Sequence, residues 1–113
     1  MDKLIERGLL YDFYGELLTK HQQDIYSEIV FNDLSLGELS EAEGISRQGV
    51  HDLVKRCDKL LEGYEDKLKL IEKFNHIKTQ VRDLSAYINS AEGLDSGFKD
   101  RLLTELQNIV KEL

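Results

Sequence analysis

The sequence contains no proline and no tryptophan, and Cys57 is its single cysteine. One cysteine cannot form an intrachain disulfide, so the chain does not belong to the disulfide-stabilised class of small secreted domains. No apolar run reaches the roughly 18 residues that a membrane-spanning helix requires. The amphipathic segment 1–7 carries Asp2 and Glu6, which a signal peptide would lack. We therefore expect a cytoplasmic protein.

The residues that are present favour helices. Leucine, glutamate, lysine and aspartate are abundant, whereas valine and threonine are scarce. The 113 residues, of which 41% are hydrophobic, are enough for one domain or for a small domain with a helical extension. We expect an all-α fold.

Charge is unevenly distributed around a net value of −7. Residues 1–43 carry three basic and ten acidic side chains, and residues 83–113 carry three and six. Only residues 44–82 are net positive, with nine basic and six acidic side chains. Because phosphate neutralisation supplies much of the affinity for nucleic acid, an acidic chain should bind DNA weakly and with strong salt dependence.

Periodicity and capping residues predict the first two helices. The first should run from Asp2 to Leu18, and its apolar stripe consists of Ile5, Leu9, Phe13 and Leu17, widened by Leu10 and Tyr14. Thr19 and Gln22 have the spacing of a capping box, which predicts the start of a second helix that ends at Asn32-Asp33.

Residues 35–56 have the pattern of a helix-turn-helix. Ser35 and Glu38 form a second capping box, Gly44 stands where the chain must turn, and Ser46 can cap the next helix. The inward-facing positions are Leu36, Leu39, Ile45, Val50, Leu53 and Val54. Such a motif presents the start of its second helix to the DNA major groove.

The candidate DNA-binding residues are therefore Ser46, Arg47, Gln48, His51, Asp52, Lys55 and Lys59. Arg47 and Gln48 suit direct readout of guanine and adenine, but an ordinary solvated helix start explains them too. Lys55 and Lys59, with Arg56, either contact phosphates or keep the surface soluble. His51 contacts a base edge or is a plain surface histidine.

Apolar positions continue at helical spacing from this second helix to about Asn89, so it should either run on without interruption or break slightly at Gly63. A last helix is predicted over 96–111. We divide the chain into a helix-turn-helix domain, 1–62, and a helical extension, 63–113, and we expect the extension to form a homodimer. The expected interface consists of Tyr64, Leu68, Ile71, Phe74, Val81, Leu84 and Ile88.

The motif also carries a resemblance. Residues 17–62, with the Ser-Leu-x-Glu-Leu and Gly-Ile-Ser-Arg-Gln runs, resemble region four of bacterial sigma factors, and the whole chain is similar to the YlxM family. The resemblance implies a DNA-binding regulatory role and a connection with the signal recognition particle. Three residues depart from the usual motif: Ser40 replaces an alanine, Gly49 replaces a helix former, and Asp52 on the exposed face would repel phosphate unless it accepts from a cytosine amino group.

Two function classes remain open. The first is a DNA-binding regulator. The second is a module that binds protein or ribonucleoprotein components of the signal recognition particle, which the net negative charge favours. No sequence pattern indicates an enzyme or a cofactor, and His21, His51, His76 and Cys57 lack metal-ligand spacing.

Overall fold

The computed structural model describes residues 3–113, and over that range the fold is all-α, as predicted. The helices are α1 (Lys3–Tyr14), α2 (Lys20–Asn32), α3 (Leu36–Glu43), α4 (Arg47–Leu68), α5 (Leu70–Ser90) and α6 (Ser96–Lys111). A short 3-10 helix, Gly15–Leu17, follows α1. The predicted start of the first helix at Asp2 lies outside the described residues.

Side-chain caps begin α2 and α3 where the sequence predicts them. The Thr19 hydroxyl accepts the N–H of Gln22, and the Gln22 side chain accepts the N–H of Thr19. Ser35 and Glu38 make the same reciprocal pair at the start of α3. Both capping boxes are therefore confirmed, and they place α3 immediately before the turn of the helix-turn-helix.

The first compact unit ends at Ile71 and is built around α4, which packs against α1, α2 and α3. Its core consists of Leu10, Tyr14, Leu18, Ile25, Tyr26, Val30, Leu39, Val50, Val54, Cys57 and Leu61. Four of the eleven lie on α4. The second helix of the motif is therefore held in its orientation by apolar side chains that it buries along its length.

The apolar stripe of the first helix is centred one position later than predicted, on the residues expected only to widen it. Leu10, Tyr14 and Leu18 are buried, whereas Ile5 is 64% exposed and Leu17 is 56% exposed. The α-helix also ends at Tyr14 and not at Leu18, because the chain tightens into the 3-10 helix and becomes extended at Leu18.

Of the two alternatives for the long helical segment, continuity through Gly63 is confirmed, but the helix does not continue to Asn89. Gly63 lies inside α4, and the interruption falls at Lys69, which adopts the left-handed conformation with φ 55°. A left-handed residue other than glycine costs about 1–2 kcal/mol, so neighbouring contacts must stabilise it.

Those contacts come from Tyr14 and Glu65. The Tyr14 hydroxyl donates to the Glu65 carboxylate and accepts the N–H of Leu70 at 3.1 Å. Glu65 also accepts the N–H of Ile71 at 3.0 Å. These two side chains thus cap the start of α5, and burial together with the bond to Glu65 raises the pKa of Tyr14. The break depends on a contact with α1, which lies 51 residues earlier in the chain.

The second compact unit, Glu72–Leu113, contains the rest of α5 and all of α6. Asp95 caps α6 by accepting the N–H of Phe98 at 3.2 Å. Lys99 donates to the carbonyl oxygens of Asn89 and Ala91 at the end of α5. Contacts thus divide the chain after Ile71, whereas the sequence predicts the division after residue 62. No helix within residues 3–113 is long and apolar enough to cross a membrane.

Candidate nucleic-acid interface

The turn between α3 and α4 is formed by Gly44, which has φ 70° and whose N–H donates to the carbonyl of Ser40. The Ser46 hydroxyl then accepts the N–H of Gly49 at 2.9 Å and caps α4. Leu39 and Val50 are buried on either side of the turn. Residues 36–68 therefore form the helix-turn-helix that the sequence predicts.

Ser40 has a function in this turn that the sequence did not reveal. Its hydroxyl donates a hydrogen bond to the carbonyl oxygen of Ile45. The departure from the usual alanine is therefore a polar link across the corner, which satisfies a carbonyl in the turn.

One stripe along α4 carries four of the predicted DNA-binding residues. Because an α-helix has 3.6 residues per turn, positions separated by four, seven and eleven residues share a face. This face comprises Gln48, Asp52, Lys55 and Lys59, all of which are exposed. Arg56 is exposed as well but lies about 100° around the helix from Lys55.

A side-chain hydrogen bond joins the first two residues of this face. The Gln48 amide donates to the Asp52 carboxylate at 2.9 Å. His51 lies beside them, with its Nδ1 at 3.6 Å from the same Asp52 oxygen. Within residues 3–113 that buried Nδ1 has no hydrogen-bond partner. Gln48 and Asp52 therefore form one polar pair, and His51 has a ring nitrogen still to be satisfied.

Arg47 is folded back onto the preceding helix. Its guanidinium lies so close to Gly37 on α3 that a Cβ at this position would be only 3.0–3.2 Å from it. Gly37 thus leaves the space that the arginine occupies. Ser46 and Arg47 are both exposed. The arginine must consequently swing away from α3 before it can reach a ligand in front of α4.

A buried charged network holds one flank of α4, beside its exposed face. Asp58 is only 8% exposed and accepts Arg7 Nε at 2.9 Å and Nη2 at 2.7 Å, together with the Tyr26 hydroxyl at 2.6 Å. The hydrogen bond to Asp58 raises the pKa of Arg7, and burial followed by that bond raises the pKa of Tyr26. The network joins α1, α2 and α4.

The sequence reasoning missed Asp58. The available signal was an acidic residue between Cys57 and Leu61, both of which lie on the apolar side of α4. A carboxylate in that position requires buried donors, because burying an unpaired charge is very costly. The sequence does not say that Arg7 and Tyr26 supply them.

The predicted dimer residues lie in different environments. Tyr64 and Ile71 pack against the core of the first compact unit, whereas Leu68 is exposed. In the second unit Val81 and Ile88 are buried, Phe74 is half-buried and Leu84 is exposed.

Cys57 is fully buried, and burial raises the pKa of its thiol from 9.0 to about 11. Over residues 3–113 no three histidine, cysteine or acidic side chains are grouped closely enough to hold a metal ion.

Comparison with known proteins agrees with this geometry. The family model UPF0122, described as "Putative helix-turn-helix protein, YlxM / p13 like", matches residues 1–101. The chain is 40% identical to a UPF0122 protein of Acetivibrio thermocellus over 100% of this chain and 97% of that protein. It is 39% identical to one from Bacillus thuringiensis over 88% of this chain and 90% of that protein. No solved structure matches.

Proposed function

This chain belongs to the UPF0122 family of YlxM/p13-like helix-turn-helix proteins, and from that premise we propose that it binds double-stranded DNA and acts as a cytoplasmic regulator. The observation that carries the proposal is the exposed face of α4, which follows a tight glycine turn and is held along one flank by the Asp58 network. A rigid exposed helix of this kind fits the major groove.

The charge along α4 indicates which part of the helix approaches DNA. Lys55 and Lys59 supply positive charge, but Glu62 and Asp66 follow on the same face. Because carboxylates repel phosphates, the contact surface should end near Lys59. The two lysines then contact the phosphate backbone, which positions the helix without reading sequence.

Base readout is assigned to Gln48 and Arg47. The hydrogen bond to Asp52 uses one N–H of the Gln48 amide, so its second N–H and its oxygen remain for the two edge atoms of adenine. Arg47 suits guanine once it leaves Gly37. Ser46 lies at the end of the helix that approaches the groove, and Asp52 and His51 border the readout pair.

The dimer remains part of the proposal. Large apolar side chains stay exposed in the second compact unit: Leu84, Tyr87, Phe98, Ile109 and Leu113. We propose that a second copy covers this surface together with Leu68 and Phe74, the other predicted interface residues that are not packed into the core of their own unit, and that two copies read two half-sites. A half-site separation of about one helical turn is what a dimer of this kind requires.

A second candidate function is binding to protein or RNA components of the signal recognition particle. The net charge of −7 and the ten acidic residues among 1–43 favour this candidate. It requires no readout by Arg47. Capture of the particle's GTPase or RNA by purified protein, unchanged by Arg47→Ala, would select it over the DNA reader.

The DNA proposal is tested by selection from a randomised duplex pool at a low and a moderate salt concentration. Enrichment of paired half-sites supports the proposal, and Gln48→Ala should relax preference at one base pair. Gln107→Ala is the matched control, since this glutamine is exposed on α6 outside the motif. A pool with no enrichment at either salt concentration would reject the proposal.

A further inference from the structure

A cavity of about 330 Å³ lies in the first compact unit, next to the start of α3 and the first half of α4. Its apolar lining comes from Ile29, Leu34, Leu36 and Val54. Small-molecule sites in proteins are typically clefts of about 300–1,000 Å³ with mostly apolar walls. The volume and the lining are therefore suited to a small ligand with an apolar body.

The polar lining of this cavity is basic. Arg7, His51 and Lys55 line it, and none of the described lining residues is acidic. Arg7 gives its Nε and Nη2 donors to Asp58, which leaves Nη1 as a donor. Lys55 makes no ion pair with any residue between 3 and 113. The charge balance of the walls therefore favours an anion.

Two further observations point to a bound acceptor. The buried Nδ1 of His51 lies 3.6 Å from an Asp52 carboxylate oxygen, too far for a hydrogen bond, and has no hydrogen-bond partner among the described residues. An acceptor on a ligand or a water would satisfy it. Leu36, the first residue of the eight-residue helix α3, and its N-cap Ser35 also line the cavity. The capping box already uses the N–H groups of Ser35 and Glu38, so an anion here would meet the N–H groups of Leu36 and Gly37. Helix N-termini present backbone N–H groups and a positive dipole end to anions.

We propose that this cavity binds a small organic monocarboxylate, with its apolar body against Leu34 and Val54 and its carboxylate between Lys55, His51 and Arg7. A neutral ligand would leave the Lys55 ammonium group without a counter-charge, and a cation would be repelled by it. His51 and Lys55 also belong to the proposed DNA-binding face, so an occupied cavity withdraws both from DNA. That consequence rests on the proposed function, whereas the binding site itself does not.

A second cavity supplies an internal control. It measures about 450 Å³ and lies between α2 and α3, and its polar lining includes Asp24, Glu28 and Glu43. Its charge is opposite to that of the first cavity. A carboxylate should therefore bind beside Lys55 and leave the acidic cavity unchanged.

The test is a titration of the full chain with phenylacetate, followed by amide chemical shifts in nuclear magnetic resonance. Saturable shifts should appear at Leu36, His51 and Val54 and be absent near Glu43. Phenylacetamide, the neutral analogue, should bind at least several-fold more weakly. Lys55→Gln should weaken phenylacetate binding by about three- to ten-fold, because it removes a charge-assisted hydrogen bond. Lys59→Gln, one turn further along α4, is the matched control and should leave binding unchanged.

The proposal is overturned by an absence of shifts at the cavity, by equal binding of phenylacetate and phenylacetamide, or by equal effects of the two lysine variants. The link to DNA is tested separately, by adding phenylacetate to the protein–DNA complex. If phenylacetate binds free protein and no duplex binds at all, the site stands and the proposed function fails.

Discussion

Removal of the Asp58 carboxylate should be among the most destabilising single changes in the first compact unit. Asp58 accepts three hydrogen bonds, at 2.9, 2.7 and 2.6 Å, and is 8% exposed. In Asp58→Ala the Arg7 guanidinium and the Tyr26 hydroxyl both lose their partner. Removing one member of a buried ion pair costs about 3–5 kcal/mol.

The environment of Arg7 refines that magnitude. Its side chain is 22% exposed and can reach water, which moves the expected loss for the ion pair to about 3 kcal/mol. The unsatisfied Tyr26 hydroxyl adds about 1–3 kcal/mol. A total of roughly 4–6 kcal/mol approaches the whole stability of many small domains.

Urea unfolding followed by circular dichroism measures this loss. Asp66→Ala is the matched control, because Asp66 is exposed on the same helix and should change the free energy of unfolding by less than about 0.5 kcal/mol. Where Asp58→Ala is too unstable to measure, Tyr26→Phe isolates one bond and should cost about 1.5–3 kcal/mol. Equal losses for Asp58→Ala and Asp66→Ala would refute the reasoning.

Four further substitutions have expected outcomes in the same unfolding assay. Gly44→Ala should lower the free energy of unfolding by about 1 kcal/mol, because Gly44 has positive φ. Gly63→Ala should raise it by up to about 1 kcal/mol, because Gly63 is helical and no described atom crowds its Cβ. If both substitutions changed the free energy in the same direction, this reasoning would be contradicted. Gly37→Ala should raise the free energy of unfolding by up to about 1 kcal/mol and displace the Arg47 guanidinium. A lower free energy of unfolding would show that the guanidinium cannot move away. Burial raises the pKa of Cys57 and so favours the neutral thiol in the folded state. The thiol's contribution to the free energy of unfolding is therefore complete below pH 9.0 and is lost as pH rises towards about 11. Between pH 9 and pH 11 the free energy of unfolding should therefore fall more for wild type than for Cys57→Ala. Equal falls for the two proteins would contradict this account of the buried thiol.

Features with local signals could be predicted from the sequence. The capping boxes at Thr19 and Ser35, the Ser46 cap and the Gly44 turn each depend on a few adjacent residues, and the structure confirms them. The last helix is confirmed at 96–111 for the same reason. Short-range hydrogen bonding and backbone conformational preference are sufficient to place these elements.

Features that depend on distant contacts could not be predicted. The break at Lys69 requires Tyr14 to reach Glu65, and periodicity alone continues through it. In the first helix Leu9 and Leu10 give two adjacent stripes, and only tertiary packing selects the one that contains Leu10. Within the candidate interface the exposed face of α4 follows from helical spacing, but the position of Arg47 over Gly37 does not.

Fluorescence anisotropy with the selected duplex and a random duplex, each at two salt concentrations, tests the central claim most directly. We expect Arg47→Ala to cost about 1–3 kcal/mol on the selected duplex and little on the random one. Lys55→Ala should weaken both duplexes similarly and lower the magnitude of the salt slope by about 1. If wild-type protein binds neither duplex even at low salt, the helix-turn-helix does not read DNA, and the account of α4 as a recognition helix is contradicted.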